Sequence, residues 1–223
     1  MDQLPLEIQI TGDGSFTLYS PAFQEIYHSR HGAFTESQHV FIEGGLKYVL
    51  EKAERIQILE VGFGTGLNAW LTALALPTAA RVMYIGLEPF PVSEQMVSQL
   101  NFEAVLPFAA TLPFSALHQA PWNVASLINP QFELLKIKAT LEEWPGASSL
   151  DLVYFDAFAP EKHPALWELP VFEKIAAMMH PQGVLVSYCA KGQFKRHLKA
   201  VGFAVESLPG PPGKREMTRA IKL

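Results

Sequence analysis

The chain of 223 residues is 49% apolar and 17% charged, a composition that predicts one globular domain with a full core and excludes a disordered or fibrous chain. A lone Cys189 excludes an internal disulfide framework or an all-cysteine metal site; no apolar run has spanning length and Met1–Glu7 shows no signal pattern, so cytoplasm is expected. The net charge of −5 is uneven: from Cys189 onward eight Lys/Arg oppose only Glu206 and Glu216, a net +6 that leaves −11 on residues 1–188 and marks the C-terminal end as a place for a polyanion to dock.

Residues 4–19 alternate as a hairpin should, with Ile8 and Ile10 before a Gly12-Asp13-Gly14 turn and Phe16 and Leu18 after it. Residues 27–45 hold Tyr27, His28, His31, Glu36, Ser37 and His39 close together and read as too polar for a core. The three histidines lack a recognised ligand spacing, so no metal is expected. The plainer reading is a loop running into a helix with Val40, Phe41, Leu46, Val49 and Leu50 inward. Residues 1–50 are therefore expected to form an N-terminal hairpin and substrate-side extension of one domain whose core is 51–223.

The chain is organised around residues 56–68, I-Q-I-L-E-V-G-F-G-T-G-L-N. Ile56, Ile58, Leu59 and Val61 form an apolar run of the kind buried on both faces of a parallel sheet. Gly62, Gly64 and Gly66 follow, then a helical segment, 67–76, that stops at Pro77. Strand, glycine turn and helix open a nucleotide-binding βα unit, where the missing Cβ atoms let a ligand reach the backbone. The spacing chooses between ligands. A dinucleotide fingerprint needs a glycine at the position of Leu67, and Glu60 at the mouth of the site would repel a pyrophosphate while suiting an ammonium. The pattern E-x-G-x-G-x-G resembles motif I of class I methyltransferases and implies S-adenosyl-L-methionine, with Glu60, Gly62, Phe63, Gly64, Thr65, Gly66 and Asn68 as candidate cofactor residues.

Arg81–Leu87 predicts a second buried strand ending in Glu88, at the distance from the glycines where an acid accepts ribose hydroxyls. Residues 101–130 are broken by Pro107, Pro113, Pro121 and Pro130 into short helices and loops. Residues 132–139 predict a third strand, followed by Thr140. Residues 150–155 predict a fourth, delivering D-A-F-A-P at 156–160. Ligands bind beyond the carboxyl ends of such strands, which brings Asp156 to the same crevice as Glu60; a helix cap is its bland alternative. A helix over 170–180, a strand over 184–190, a basic helix over 193–200 and a strand pair over 203–207 and 218–223 complete the chain. The fold expected is α/β, Rossmann-like: a seven-stranded, mostly parallel sheet with a C-terminal antiparallel hairpin strand.

Four motifs now coincide: Y-H-S-x-x-G-A-F-T-E-S-x-H-V-F-I from Tyr27, E-V-G-F-G-T-G-L-N from Glu60, D-A-F-A-P-x-K-x-P-x-L-W from Asp156 and P-G-P-P-G-K-R-E-M from Pro209. Together they resemble the MnmC methyltransferase-domain family, also found as the stand-alone MnmD type. The resemblance spans nearly the whole chain. It implies methylation of the amine of 5-aminomethyl-(2-thio)uridine at the tRNA wobble position. It departs from the family in two places: Thr140 stands where relatives commonly place an acid for the adenine, and no second, FAD-type fingerprint is present, so no activity on the carboxymethylaminomethyl form is expected.

The residues carry that chemistry in their own terms. Methyl transfer needs a neutral amine held in line with the donor, and a carboxylate can orient the amine or take its proton. Asp156 is the candidate catalytic residue, with Tyr27 and Glu36 next in line. Phe158 and Pro160 form an apolar wall beyond it. Lys162, Lys191, Lys195, Arg196, Lys214 and Arg215 are candidates for phosphates or splayed bases of a tRNA anticodon stem-loop. No membrane and no protein partner is required. The competing readings are a nicotinamide-dependent oxidoreductase, a small-molecule amine methyltransferase and a silent RNA-binding module.

Overall fold

A computed structural model of the chain describes residues 5–106 and 111–223. Leu4, at the start of the expected hairpin, and Pro107 lie outside the described residues. Strands β1 (Glu7–Ile10) and β2 (Phe16–Ser20) form that hairpin, and a short β3 (Glu25–Ile26) extends it to three antiparallel strands. Next comes a continuous helical stretch: α1 (Ala33–Ser37), a π-helical turn segment (Gln38–Leu46) and α2 (Lys47–Leu50).

Among the described residues the main sheet has eight strands, one more than expected. In chain order they are β4 (Arg55–Val61), β5 (Arg81–Leu87), β6 (Ser126–Asn129), β7 (Phe132–Ile137), β8 (Leu150–Phe155), β9 (Met179–Ser187), β10 (Phe203–Pro209) and β11 (Glu216–Lys222), arranged β10-β11-β9-β8-β4-β5-β7-β6. The five strands from β9 to β7 pair in parallel, and β11, β10 and β6 are antiparallel additions. The extra strand, β6, is a four-residue edge segment before Pro130, too short to show alternation.

Alternate residues of the central strands feed two cores, as a sheet covered on both faces requires. Ile56, Ile58, Tyr84, Leu152, Tyr154, Val184 and Val186 pack under α3 (Leu67–Ala75) and the π segment. Leu59, Val61, Ile85, Leu87, Val153, Phe155 and Leu185 pack under α7 (Leu169–Met178) and α8 (Gly192–Ala200). Gly45 lets the π segment lie directly on the sheet: a Cβ there would come 2.9 Å from Val186 and 3.3 Å from Tyr154. Short helices α4 (Glu94–Val97), α5 (Phe102–Val105) and α6 (Ser115–Gln119) fill the connection from β5 to β6.

Several boundaries differ from expectation: β7 ends at Ile137 rather than 139, β9 ends at Ser187 rather than 190, β10 runs on to Pro209 and β11 starts at Glu216. Helix α7 stops at Met178 and β9 starts at once, so His180-Pro181-Gln182-Gly183 belongs to the strand rather than to a helix end. Gln182 adopts φ 67° and the register against β8 shifts between Leu150 and Leu152, which is a bulge that accommodates the proline. The segment judged too polar for a core is largely interior: His28, Glu36 and Ser37 are buried, and the His28 and Glu36 side chains have hydrogen-bond partners.

Candidate active site

A cavity of about 570 Å³ opens at the carboxyl ends of β4 and β8, where the sheet's connections part in opposite directions. Its floor is the glycine turn. Gly62 (φ +91°), Gly64 (φ +51°) and Gly66 (φ +80°) all take left-handed backbone conformations. A Cβ on Gly62 would sit 2.6 Å from the Asp156 carbonyl oxygen, so this glycine lets the ends of β4 and β8 touch. The amides of Gly62 and Phe63 both donate to the Leu87 carbonyl, at 3.1 and 2.9 Å, and the Asp156 amide donates to the Val61 carbonyl at 3.0 Å. Phe63 turns away from solvent onto Gly86 of β5, where any side chain would collide with its ring. Glu88, at the end of β5, accepts the amides of Gly64 and Phe90, each at 2.9 Å, and lines the cavity with its remaining lone pairs.

Behind the turn lies a carboxyl pair on one amide. Asn68 Nδ2, in the first turn of α3, donates to Glu60 Oε1 and to Asp156 Oδ2, both at 2.8 Å. Glu60 is fully buried, and its Oε2 and Asn68 Oδ1 have no hydrogen-bond partner. Burial, aided by the Asp156 charge, pushes Glu60 well above the usual carboxylate range. Asp156 is half-buried and lines the cavity. Burial and then the Glu36 charge raise it to about 7, against the Asn68 hydrogen bond and the Lys214 cation. The pair therefore holds Glu60 protonated and leaves Asp156 as the group that titrates near neutrality.

Lys214 Nζ donates to Glu36 Oε1 at 2.6 Å and lies 3.7 Å from the centre of the Tyr188 ring. The other Glu36 oxygen accepts the Ser29 amide at 2.7 Å, and Tyr188 donates to the Ala157 carbonyl at 2.8 Å. Aromatic rings border the opening: Phe158 packs edge-on to Tyr27 at 5.3 Å and tilted on Phe23 at 5.1 Å, and Phe23 reaches Phe90 at 6.1 Å.

The predicted site residues separate into three places. Tyr27, Gly62, Phe63, Gly64, Thr65, Asn68, Glu88, Asp156 and Phe158 line the cavity. Gly66 caps α3 beside it, and Glu60, expected at the mouth, is instead sealed behind Asn68, because β4 ends one residue later and Val61 takes the facing position. Pro160 and Lys162 do not line the cavity; Lys162 is exposed and Lys191 is paired with Glu161. Lys195 pairs with Glu216 at 2.8 Å and Lys214 turns inward, so Lys162, Arg196 and Arg215 remain as exposed cations of that set.

Several participants escaped sequence reasoning. Thr140 is occupied locally: its hydroxyl and amide both donate to Glu143, at 3.0 and 3.1 Å, in a capping-box pattern that the T-L-E-E spelling announces. Glu142 then shares the cavity wall with Thr140, Ala139 and Leu141. His28 lies between Thr17 (3.0 Å) and Thr65 (3.2 Å), and His118 Nε2 donates to the Thr65 carbonyl at 3.0 Å; burial lowers both to about 4, so both are neutral supports of the glycine turn. His39 bonds the Pro209 carbonyl at 2.8 Å. Among the described residues no cluster of His, Cys, Asp and Glu could hold a metal ion, and no helix is long and apolar enough to cross a membrane.

Comparison with known proteins agrees with this geometry. A family profile described as S-adenosyl-L-methionine-dependent methyltransferase matches residues 122–223. The tRNA 5-methylaminomethyl-2-thiouridine biosynthesis bifunctional protein MnmC of Burkholderia multivorans is 32% identical over 96% of this chain and 34% of its own length. The protein of the same name from Magnetococcus marinus is 33% identical over 92% of the chain and 32% of its own. The chain thus spans about a third of the length of the curated relatives it matches. The crystal structure of MnmC2 from Aquifex aeolicus superposes with a TM-score of 0.78 at 26% identity, covering 98% of this chain and 70% of that one. The cofactor of this class, S-adenosyl-L-methionine, fits what the cavity offers. A turn that Cβ atoms would fill, a buried acid with free lone pairs and an apolar wall at Leu87, Ala139 and Leu141 match its backbone-seated, diol-bearing and planar parts.

Proposed function

We propose that the chain belongs to the MnmC methyltransferase-domain family and transfers a methyl group from S-adenosyl-L-methionine to the amine of 5-aminomethyl-(2-thio)uridine at the wobble position of tRNA. The observation that carries the reading is Asp156, half-buried in the cavity wall and poised to titrate near neutrality. When bound, the cofactor supplies a methyl group on a sulfonium, whose carbon–sulfur bonding pair stays on sulfur as the amine nitrogen takes the methyl.

In this reading Gly62 and Gly64 seat the cofactor by backbone contact, and Glu88 receives its ribose hydroxyls. Asn68 holds the Asp156 carboxylate by one oxygen, leaving the other to accept a hydrogen bond from the acceptor amine and then its proton. Protonated Glu60 keeps a second negative charge away from that spot. Phe158, Tyr27 and Phe23 give a planar base a surface to stack on and exclude water from the amine. Arg196 and Arg215 meet the phosphates.

The test is incubation of the pure chain with methyl-labelled cofactor and tRNA carrying either 5-aminomethyl or 5-carboxymethylaminomethyl groups. Label should appear at the wobble nucleoside of the first tRNA and be absent from the second. Label found only in small amines, or bound tRNA with no label, would overturn the reading.

A further inference from the structure

A lone exposed phenylalanine needs no explanation on a protein surface, but Phe90 does not stand alone. It is 48% exposed at the rim of the cavity it helps to line. From it a row of rings runs inward: Phe90 to Phe23 at 6.1 Å, Phe23 to Phe158 at 5.1 Å and Phe158 to Tyr27 at 5.3 Å. All four line the cavity; Phe90 is exposed and the other three are half-buried. Two parts of the chain build the row. Phe23 comes from the turn between β2 and β3, which Gln24 closes in a left-handed conformation, φ 50°. Phe90 follows the end of β5, with Pro89 and Pro91 on either side and its amide held by Glu88 at 2.9 Å. A ring carried on so restrained a backbone loses little freedom when it takes a partner.

Resting on the proposed methyl transfer to tRNA, we propose that Phe90 is a second base-binding position, whose exposed ring stacks on the unpaired nucleobase next to the target uridine. In that reading the target lies against Phe158 and Tyr27, because Phe158 stands two residues after Asp156 and both rings line the same cavity as its carboxyl. Among the described residues Phe90 packs its ring on Phe23 and on neither of those two, so a seated target leaves it open. A strand that turns one base into a pocket also unstacks the neighbouring base, which then needs a new planar partner. Every base has a π-face, and a phenyl ring meets it without any hydrogen-bond requirement. The position therefore contributes affinity for an unpaired strand rather than choice of sequence.

Anticodon stem-loops that carry an abasic site on the 5′ or the 3′ side of the target test this. Their affinity for the protein loaded with S-adenosylhomocysteine is read by fluorescence anisotropy, without turnover. In the parent, loss of one of the neighbouring bases should weaken binding about tenfold. Phe90→Ala should weaken binding of the intact loop by the same factor and be indifferent to loss of that base, and Phe90→Trp should restore both. Affinity for S-adenosylhomocysteine alone, measured by calorimetry, should not change. Parental affinity of Phe90→Ala for the intact loop, or its undiminished response to the abasic sites, refutes the position. Weaker binding of S-adenosylhomocysteine would assign the ring to the cofactor, and a fall in kcat at unchanged loop affinity would assign it to the target base. Either result ends the proposal. Coupling between Phe90 and a neighbouring base, in a protein that puts no methyl on this tRNA, leaves the position standing and refutes the function. Methyl transfer without that coupling does the reverse.

Discussion

Two carboxyl groups that share one buried amide resist carrying two charges, and Glu60 and Asp156 resolve this by unequal burial. Glu60 is fully enclosed and its carboxyl sits well above the usual range. A raised folded pKa contributes stability that is complete below the unfolded value, about 4.3, and is lost as pH rises toward the folded one. Glu60→Gln keeps the Asn68 contact without an ionisable proton. It should therefore gain stability over the parent as pH rises above that value, with a slope approaching about 1.4 kcal/mol per pH unit, measured by urea unfolding at several pH values. A parallel pH dependence in the two proteins would show that Glu60 is ionised in the fold. Asp156, near 7, should give a rate that rises through neutrality as the carboxylate forms. Asp156→Ala should lower kcat by roughly 10²-fold or more with little change in tRNA affinity. Full turnover in a folded Asp156→Ala protein would assign the proton acceptor elsewhere.

At the level of elements, the glycine turn works because β4 and β8 meet without an intervening side chain. Gly62→Ala would place a methyl 2.6 Å from the Asp156 carbonyl in a left-handed conformation. The substitution should cost about 1–3 kcal/mol and spread the two strand ends, weakening cofactor binding as read by calorimetry. Binding at parental affinity would mean that the turn adapts. The neighbouring support is polar but uncharged. His28 and His118 are both neutral and hold Thr65 from opposite sides, so the turn should keep its shape across the neutral pH range. The buried Lys136 backs His118 through its carbonyl at 3.1 Å and lies 5.0 Å from the Trp122 ring.

Across the whole molecule, the cavity and the basic surface lie apart. Glu88, Glu142, Glu168 and Asp156 line the cavity, while Lys199, Arg196 and Arg215 stay on the surface. The outward cations should act on docking. Arg196→Ala with Arg215→Ala should weaken tRNA binding and flatten its salt dependence by about one unit of slope per lost phosphate contact, with kcat kept. A loss of kcat at unchanged affinity would place the polyanion elsewhere on the surface.

The parallel sheet, the glycine turn, the acid after the second strand and Asp156 were legible in the chain because each depends on local patterning. Apolar runs, glycine spacing and strand ends are properties of a few consecutive residues. The tertiary structure decided the rest. Glu60 occupies a motif position that suggests a ligand contact, yet the pleat turns it inward, and one residue of register separates the two outcomes. Lys214 reads as a phosphate contact and Glu36 as a candidate base until the C-terminal loop and α1 are brought together. Their pairing depends on a contact between distant segments, and no local pattern encodes it. The same holds for β6, an edge strand made by its neighbour, and for the polar segment from Tyr27, which becomes interior because its partners arrive from Thr17, Thr65 and Lys214. Buried polar groups are written in the sequence as residues, but what satisfies them is decided only where the chain meets itself.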